Sequence, residues 1–134
     1  MKLEFTIEQI ESFIEDANWY DLEGRSILHL YSIAAIKENF NGIGPDKMNE
    51  NLRWFFTVLG WRYLSAVIIH DMDYTKGGTI DDFHRSNRRL KKNLRKILDR
   101  LYHRWNPWYW VEYVSINLIC RICEMAGWEG FHKV

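Results

Sequence analysis

Ala66-Val67-Ile68-Ile69-His70-Asp71-Met72-Asp73-Tyr74, followed by Lys76-Gly77-Gly78-Thr79, is the stretch on which the fold turns. It starts apolar on every side and closes on polar residues. It therefore predicts a helix from Trp61 to Tyr74, buried along most of its length and meeting something polar at its end. Lys76-Gly77-Gly78 stops that helix. Thr79 opens a long amphipathic one, with Asp81 and Asp82 in its first turn, where the macrodipole favours negative charge. Leu90, Leu94, Ile97, Leu98 and Leu101 form its apolar stripe. At the end of the first helix, His70 and Tyr74 lie four apart and Asp71 and Tyr74 three apart, so the three share one side while Asp73 points elsewhere. A general base, a carboxylate suited to a hard cation and a phenol thus fall within one turn.

Outward from this pair, the same signals recur. Thr6-Ile7-Glu8-Gln9 has capping-box spacing, and Ile7, Ile10, Phe13 and Ile14 place a helix up to about Ala17. Ser26 to Asn39 is more uniformly apolar and predicts a helix buried on several sides. Phe40-Asn41-Gly42-Ile43-Gly44-Pro45-Asp46 reads as a tight loop, and Met48 to Leu59 as a further helix. Trp105-Asn106-Pro107-Trp108 breaks the chain before a last helix from about Trp108 to Ala126, ended by Gly127. No strand, repeat or low-complexity linker is evident. The expectation is an all-α single domain over 1–134: an N-terminal helical segment (1–39), a core (40–104) and a C-terminal helix (105–134).

Composition narrows the class. Of 134 residues 47% are hydrophobic and 16% aromatic, with eight Gly and two Pro, which excludes a disordered chain or a collagen-like repeat. The longest stretch without Asp, Glu, Lys or Arg, Ser26 to Ile36, is too short to span a bilayer. The N-terminus lacks the basic flank and apolar core of a signal peptide, so the chain is expected to start in the compartment where it is made. The net charge of zero is a cancellation: residues 1–50 hold 4 basic and 10 acidic residues, residues 51–134 hold 14 and 8. A phosphate-bearing partner is therefore not excluded. Cys120 and Cys123, among Ile119, Ile122 and Met125, read as buried core thiols and not as half of a metal site.

The order of Gly-x-Gly-Pro loop, Ala-x-x-x-His-Asp-x-Asp-Tyr, Gly-Gly and second helix resembles the phospholipase A2 superfamily. More narrowly it is similar to the small phospholipase A2-like proteins of bacteriophages and prophages, and more distantly to the parvovirus capsid phospholipase domain. The likeness runs from Phe40 to Leu98, with a weaker echo over Tyr113 to Phe131. It implies calcium-dependent hydrolysis of a phospholipid acyl ester at a membrane surface, with phage or virion proteins as further partners and the host cytoplasm or a virion as location. Carried over by position, His70 would be the base on water and Asp71 the calcium carboxylate. Main-chain carbonyls of Phe40, Gly42 and Gly44 would complete the calcium site, and Tyr74 would hold the network by hydrogen bonding. Calcium takes oxygen ligands in flexible geometry, and glycines let the backbone approach an ion closely.

Two departures stand out. The family's Asp that holds the imidazole is matched by Asn87 when the helices are aligned on Leu90 and Leu94; Asp82 would serve only in a different register. An amide accepts the imidazole N–H but does not stabilise imidazolium as a carboxylate does. Residues 45–60 also insert a helix that short secreted enzymes of the family lack. Without their disulfides, aromatics such as Trp54, Phe55, Phe56 and Trp61 would supply the stability.

The second helix carries a run of cations from Arg85 to Arg104, with Trp105, Trp108, Tyr109 and Trp110 next to it. Arg88, Lys92, Arg95, Trp105 and Trp108 are candidates for contact with phosphates or a membrane surface. The same elements would suit single-stranded nucleic acid, and the bland alternative is a solvated helix face. His29 and His84 read as structural. A His-Asp metal phosphohydrolase would need further ligands such as His29 and Asp99, which sit in no such motif. A non-catalytic virion or host-interaction protein on the same scaffold is the competing class.

Overall fold

The computed structural model describes residues 4–40 and 60–133. The loop Asn41–Asp46 and the helix expected over Met48–Leu59, with Gly42, Gly44, Trp54, Phe55 and Phe56, lie outside the described residues. Helix α1 (Ile7–Trp19) starts where its capping box predicts: the Thr6 hydroxyl accepts from the Gln9 N–H at 3.1 Å, and the Gln9 side chain accepts from the Thr6 N–H at 2.9 Å. It buries Ile10, Phe13 and Ala17.

The apolar stretch Ser26–Asn39 is not one helix. A 3₁₀ turn, Arg25–His29, is followed by α2 (Ile33–Asn39), which restarts at Ser32 because that hydroxyl accepts from the Ala35 N–H at 3.1 Å and serves as an N-cap. Nor is it buried on several sides. Ile27, Leu28 and Ile36 are buried, whereas Leu30 is 71% exposed. The helix expected from Trp61 likewise begins as a 3₁₀ turn, Trp61–Tyr63, and becomes α3 (Leu64–Lys76) from Leu64. Trp61 is 39% exposed, although its ring packs edge-on against Phe13 and beside Phe5.

Helix α3 is the centre of the molecule. Every residue from Leu64 to His70 is buried, as is Met72, the mark of a helix covered on all sides. α1, α2 and the 25–29 turn cover it on one side, and α4 (Ile80–Leu101) on the other. The Gly77-Gly78 turn reverses the chain so that α3 and α4 run antiparallel. Gly77 sits at φ +71°, and a Cβ there would lie 1.9 Å from the His132 carbonyl oxygen, so glycine is required twice over. Thr79 and Asp82 form the capping box of α4. α5 (Pro107–Ala126), capped by Asn106, packs along α4 and passes into a 3₁₀ turn, Gly127–Gly130. The fold is all-α. Among the described residues the extended pairing is a single bridge, Gly78 with Lys133, and no helix is long and apolar enough to cross a membrane. Cys120 and Cys123 are buried free thiols, pushed up to about 11 and 12 by burial, and so stay protonated.

The acidic N-terminal part docks on the basic helix. Lys92 pairs with Glu23 at 2.6 Å, Arg89 reaches Glu23 at 4.0 Å, and the Lys96 ammonium donates to the Asp21 carbonyl at 2.7 Å. The docking point is Asn93, which has no exposed surface. Its Oδ1 accepts from the Glu23 N–H at 2.8 Å and its Nδ2 donates to the Glu23 carbonyl at 2.9 Å. Replacing it by Ala leaves two part-buried backbone groups without partners, which costs about 2–3 kcal/mol. Asn93→Ala is therefore expected to lower the urea midpoint with an unchanged slope; an unchanged midpoint would show that the Glu23 turn contributes nothing to stability.

Candidate functional site

The polar end of α3 is satisfied from α4. His70 is 5% exposed, and its Nε2 lies 2.8 Å from the Asn87 Oδ1. The Tyr74 hydroxyl donates to the same oxygen at 2.8 Å. One amide carbonyl has two lone pairs, enough for both donors. With the oxygen so used, Nε2 carries the imidazole proton and the Nδ1 lone pair is left on the opposite side of the ring, the side of Asp71. The Nδ1–Asp71 Oδ1 separation is 3.9 Å, beyond hydrogen-bond range. The Asn87 Nδ2 has no partner among the described residues.

Packing fixes this constellation. The Tyr74 ring lies 4.2 Å from that of His70 and is boxed by Phe83 and Phe131 at 5.8 and 5.3 Å. Trp128 packs edge-on against Phe83 and stacks on Phe131. Gly127 closes the box: a Cβ there would stand 2.3 Å from the Tyr74 hydroxyl. Behind it, the segment after α5 is stitched to α3, the His132 N–H donating to the Tyr74 carbonyl at 3.1 Å and the Gly78 N–H to the His132 carbonyl at 2.8 Å.

Burial is the dominant electrostatic effect. It holds the His70 imidazole down to about 4, against a smaller upward pull from the Asn87 bond and Glu124, so the ring is neutral at pH 7. Burial also pushes the Tyr74 hydroxyl up, which keeps it a donor. Asp73, on the far side of the helix, is bound by Arg89 at 3.0 Å. Asp71 lines a cleft of about 400 Å³ with Glu38, Asn39, Thr75 and His132.

The expected residues separate into three sets. His70, Tyr74 and Asn87 are brought into one network, and Asp71 adjoins it. Asp82 is elsewhere, bound to Thr79 and Arg85. Phe40 is 4% exposed and stacks on Phe5 at 4.6 Å, one residue beyond Asn39 at the cleft. Gly42 and Gly44 lie outside the described residues. The donors along the cleft, Glu38, Asn39 and Asp71, are oxygen ligands of the kind calcium takes, so the donor chemistry fits a hard cation. Among the described residues no three His, Cys, Asp or Glu converge on one point. The basic set is largely spent within the fold: Lys92 on Glu23, and Arg95 on the Tyr113 hydroxyl at 2.9 Å. Arg88, Trp105 and Trp108 are exposed, Trp105 to 91%. His84 bonds Glu124 at 3.0 Å, and His29 is exposed.

Sequence reasoning did not find Glu38, Asn39 and His132 at the cleft, nor Phe83, Trp128 and Phe131 around Tyr74. The available signal was the alternation Gly127-Trp128 and Gly130-Phe131, an aromatic directly after each glycine. No family model, curated protein or solved structure matches the chain.

A histidine held below its unfolded value binds fewer protons folded than unfolded between about pH 4 and 6.5. Its contribution to stability is thus complete above pH 6.5 and is lost as pH falls toward 4. The His70 ring is expected to titrate near 4 by NMR, and His70→Gln to flatten the fall in stability over that window. A midpoint near 6.5 would contradict the buried geometry.

Proposed function

We propose that the chain is a calcium-dependent, phospholipase A2-like esterase acting on a phospholipid acyl ester at a membrane surface. The observation that carries this reading is the His70–Asn87–Tyr74 network: a buried, neutral imidazole tied through Nε2, with its Nδ1 lone pair on the side of Asp71. The antiparallel α3 and α4 that carry these residues across a glycine turn fit the phospholipase A2-like topology. In this reading Nδ1 takes a proton from water while the water oxygen attacks the ester carbonyl. The Asn87 carbonyl keeps hold of the Nε2 proton as the ring becomes cationic. The imidazolium then returns its proton to the leaving alkoxide oxygen, restoring neutral His70. Asp71, with main-chain carbonyls from Phe40, Gly42 and Gly44, would hold the calcium. When bound, the ion supplies polarisation of the ester carbonyl and charge balance for the oxyanion.

Asn87 sets the strength of the base. A carboxylate at that position would stabilise the imidazolium, whereas an amide leaves burial nearly unopposed. The same residue favours a second reading, a non-catalytic scaffold that retains the shape of the site. Turnover decides between them. Wild type is expected to release fatty acid from phospholipid vesicles with calcium and not with chelator, His70→Gln to lose at least ~100-fold, and Asp71→Asn to lose calcium binding by calorimetry. Asn87→Asp is expected to speed release and raise the His70 pKa. Calcium binding without any release would establish the scaffold reading instead.

A further inference from the structure

Helix α5 is apolar on two opposite sides. Its inner side, with Tyr109, Ile116, Cys120 and Cys123, is buried. At ~100° per residue the side opposite carries Trp110, Val111, Val114, Leu118 and Met125, and these are between 50% and 79% exposed. Trp105 and Trp108, 91% and 64% exposed, extend it where the chain enters the helix. Large apolar side chains exposed to this degree leave roughly 800–1,000 Å² of apolar surface. That exceeds the ~300–600 Å² of the largest patch on a typical monomer. Beside Trp108 and Leu118 the face runs into an apolar groove of about 320 Å³ floored by Val67, Leu94 and Ile119.

Arginine and lysine outnumber the carboxylates around this face. Its carboxylates are engaged within the fold: Glu112 with Arg62, Glu124 with His84 and Asp99 with the Tyr109 hydroxyl. Arg121, between Trp110 and Val114 on the helix wheel, has no ion-pair partner among the described residues. The same holds for Arg88 and Lys91, one and two turns past His84 along the flank of α4 beside α5. A second copy of the chain would set cation against cation around the apolar contact, whereas an anionic bilayer offers an apolar layer beneath a sheet of phosphates.

We propose that the outward face of α5 lies in the surface of a bilayer containing anionic phospholipid. Trp110, Val114, Leu118 and Met125 enter the acyl boundary, and Arg88, Lys91 and Arg121 meet the phosphates. This docking goes beyond the hydrolysis proposed above and does not require it.

Vesicles of diether phospholipids, which carry no acyl ester, separate binding from turnover. The full chain is expected to co-sediment with diether phosphatidylcholine mixed with diether phosphatidylglycerol, with a blue shift of tryptophan emission, and to bind phosphatidylcholine alone more weakly. Added salt should weaken the mixed-vesicle binding. Leu118→Glu is expected to weaken it at least tenfold, and Arg121→Glu to weaken it and reduce its salt dependence. Leu30→Ser, which removes an exposed leucine outside this face, should bind as wild type does. Equal binding by wild type and the two α5 variants, or no preference for the anionic vesicles, would overturn the proposal. So would a dimer in sedimentation that Leu118→Glu dissociates, which would assign the face to a second copy. Fatty-acid release from ester lipids is a separate readout, so loss of one property leaves the other standing.

Discussion

One amide oxygen reconciles the polar end of α3 with the core. α3 is buried without a break from Leu64 to His70, and a protein interior accepts an imidazole readily only when it is neutral and bonded. Asn87 Oδ1 meets that demand and, by taking the Tyr74 hydroxyl as well, ties two successive turns of α3 to one residue of α4. A carboxylate there would have introduced a buried charge whose desolvation costs several kcal/mol unless the ring were cationic. The amide avoids that cost, and its consequence is a weak base: neutral at physiological pH, with its tautomer fixed by the Asn87 oxygen, which the Tyr74 hydroxyl holds in place.

The second organising feature is the separation of charge along the chain. The acidic N-terminal part and the basic α4 meet in the Glu23 turn, where Asn93 supplies direction and Lys92 and Arg89 supply charge. Individual exposed ion pairs of this kind contribute little. Their importance lies in what they remove: cations that look free in the sequence are turned inward. A basic run read as one face becomes, in three dimensions, a neutralised side against the N-terminal segment and a small cationic flank beside α5.

Local features were legible in the sequence. The capping box at Thr6, the opening of α4 at Thr79, the break at Asn106-Pro107 before α5 and the stop at Gly77-Gly78 all rest on interactions within three or four residues. Asn87 as the partner of His70 came from the resemblance, which, aligned on Leu90 and Leu94, sets it where the family has its Asp; the structure places its Oδ1 on the imidazole. Two kinds of information were not legible. Apolar content over Ser26–Asn39 concealed that Ser32 would start a new helix and that Leu30 would face water. The cleft residues Glu38 and His132, and the docking residue Asn93, meet partners far away in sequence, and no periodicity encodes such meetings.

The stitch between the segment after α5 and the end of α3 bears on how the molecule acquires its site. Tyr74 is held at once by Asn87, by Gly127 and, through its main chain, by His132, so its position is shared between segments widely separated along the chain. Contacts of such sequence separation form only after the loop-closure entropy between them has been overcome. α3 and α4 can pair locally through the glycine reversal, but Tyr74 is boxed only once α5 has folded back along α4. The box around Tyr74 is thus completed by the segment farthest from it in sequence among its partners, and its ordering reports that α5 and the turn to Phe131 have closed on α3.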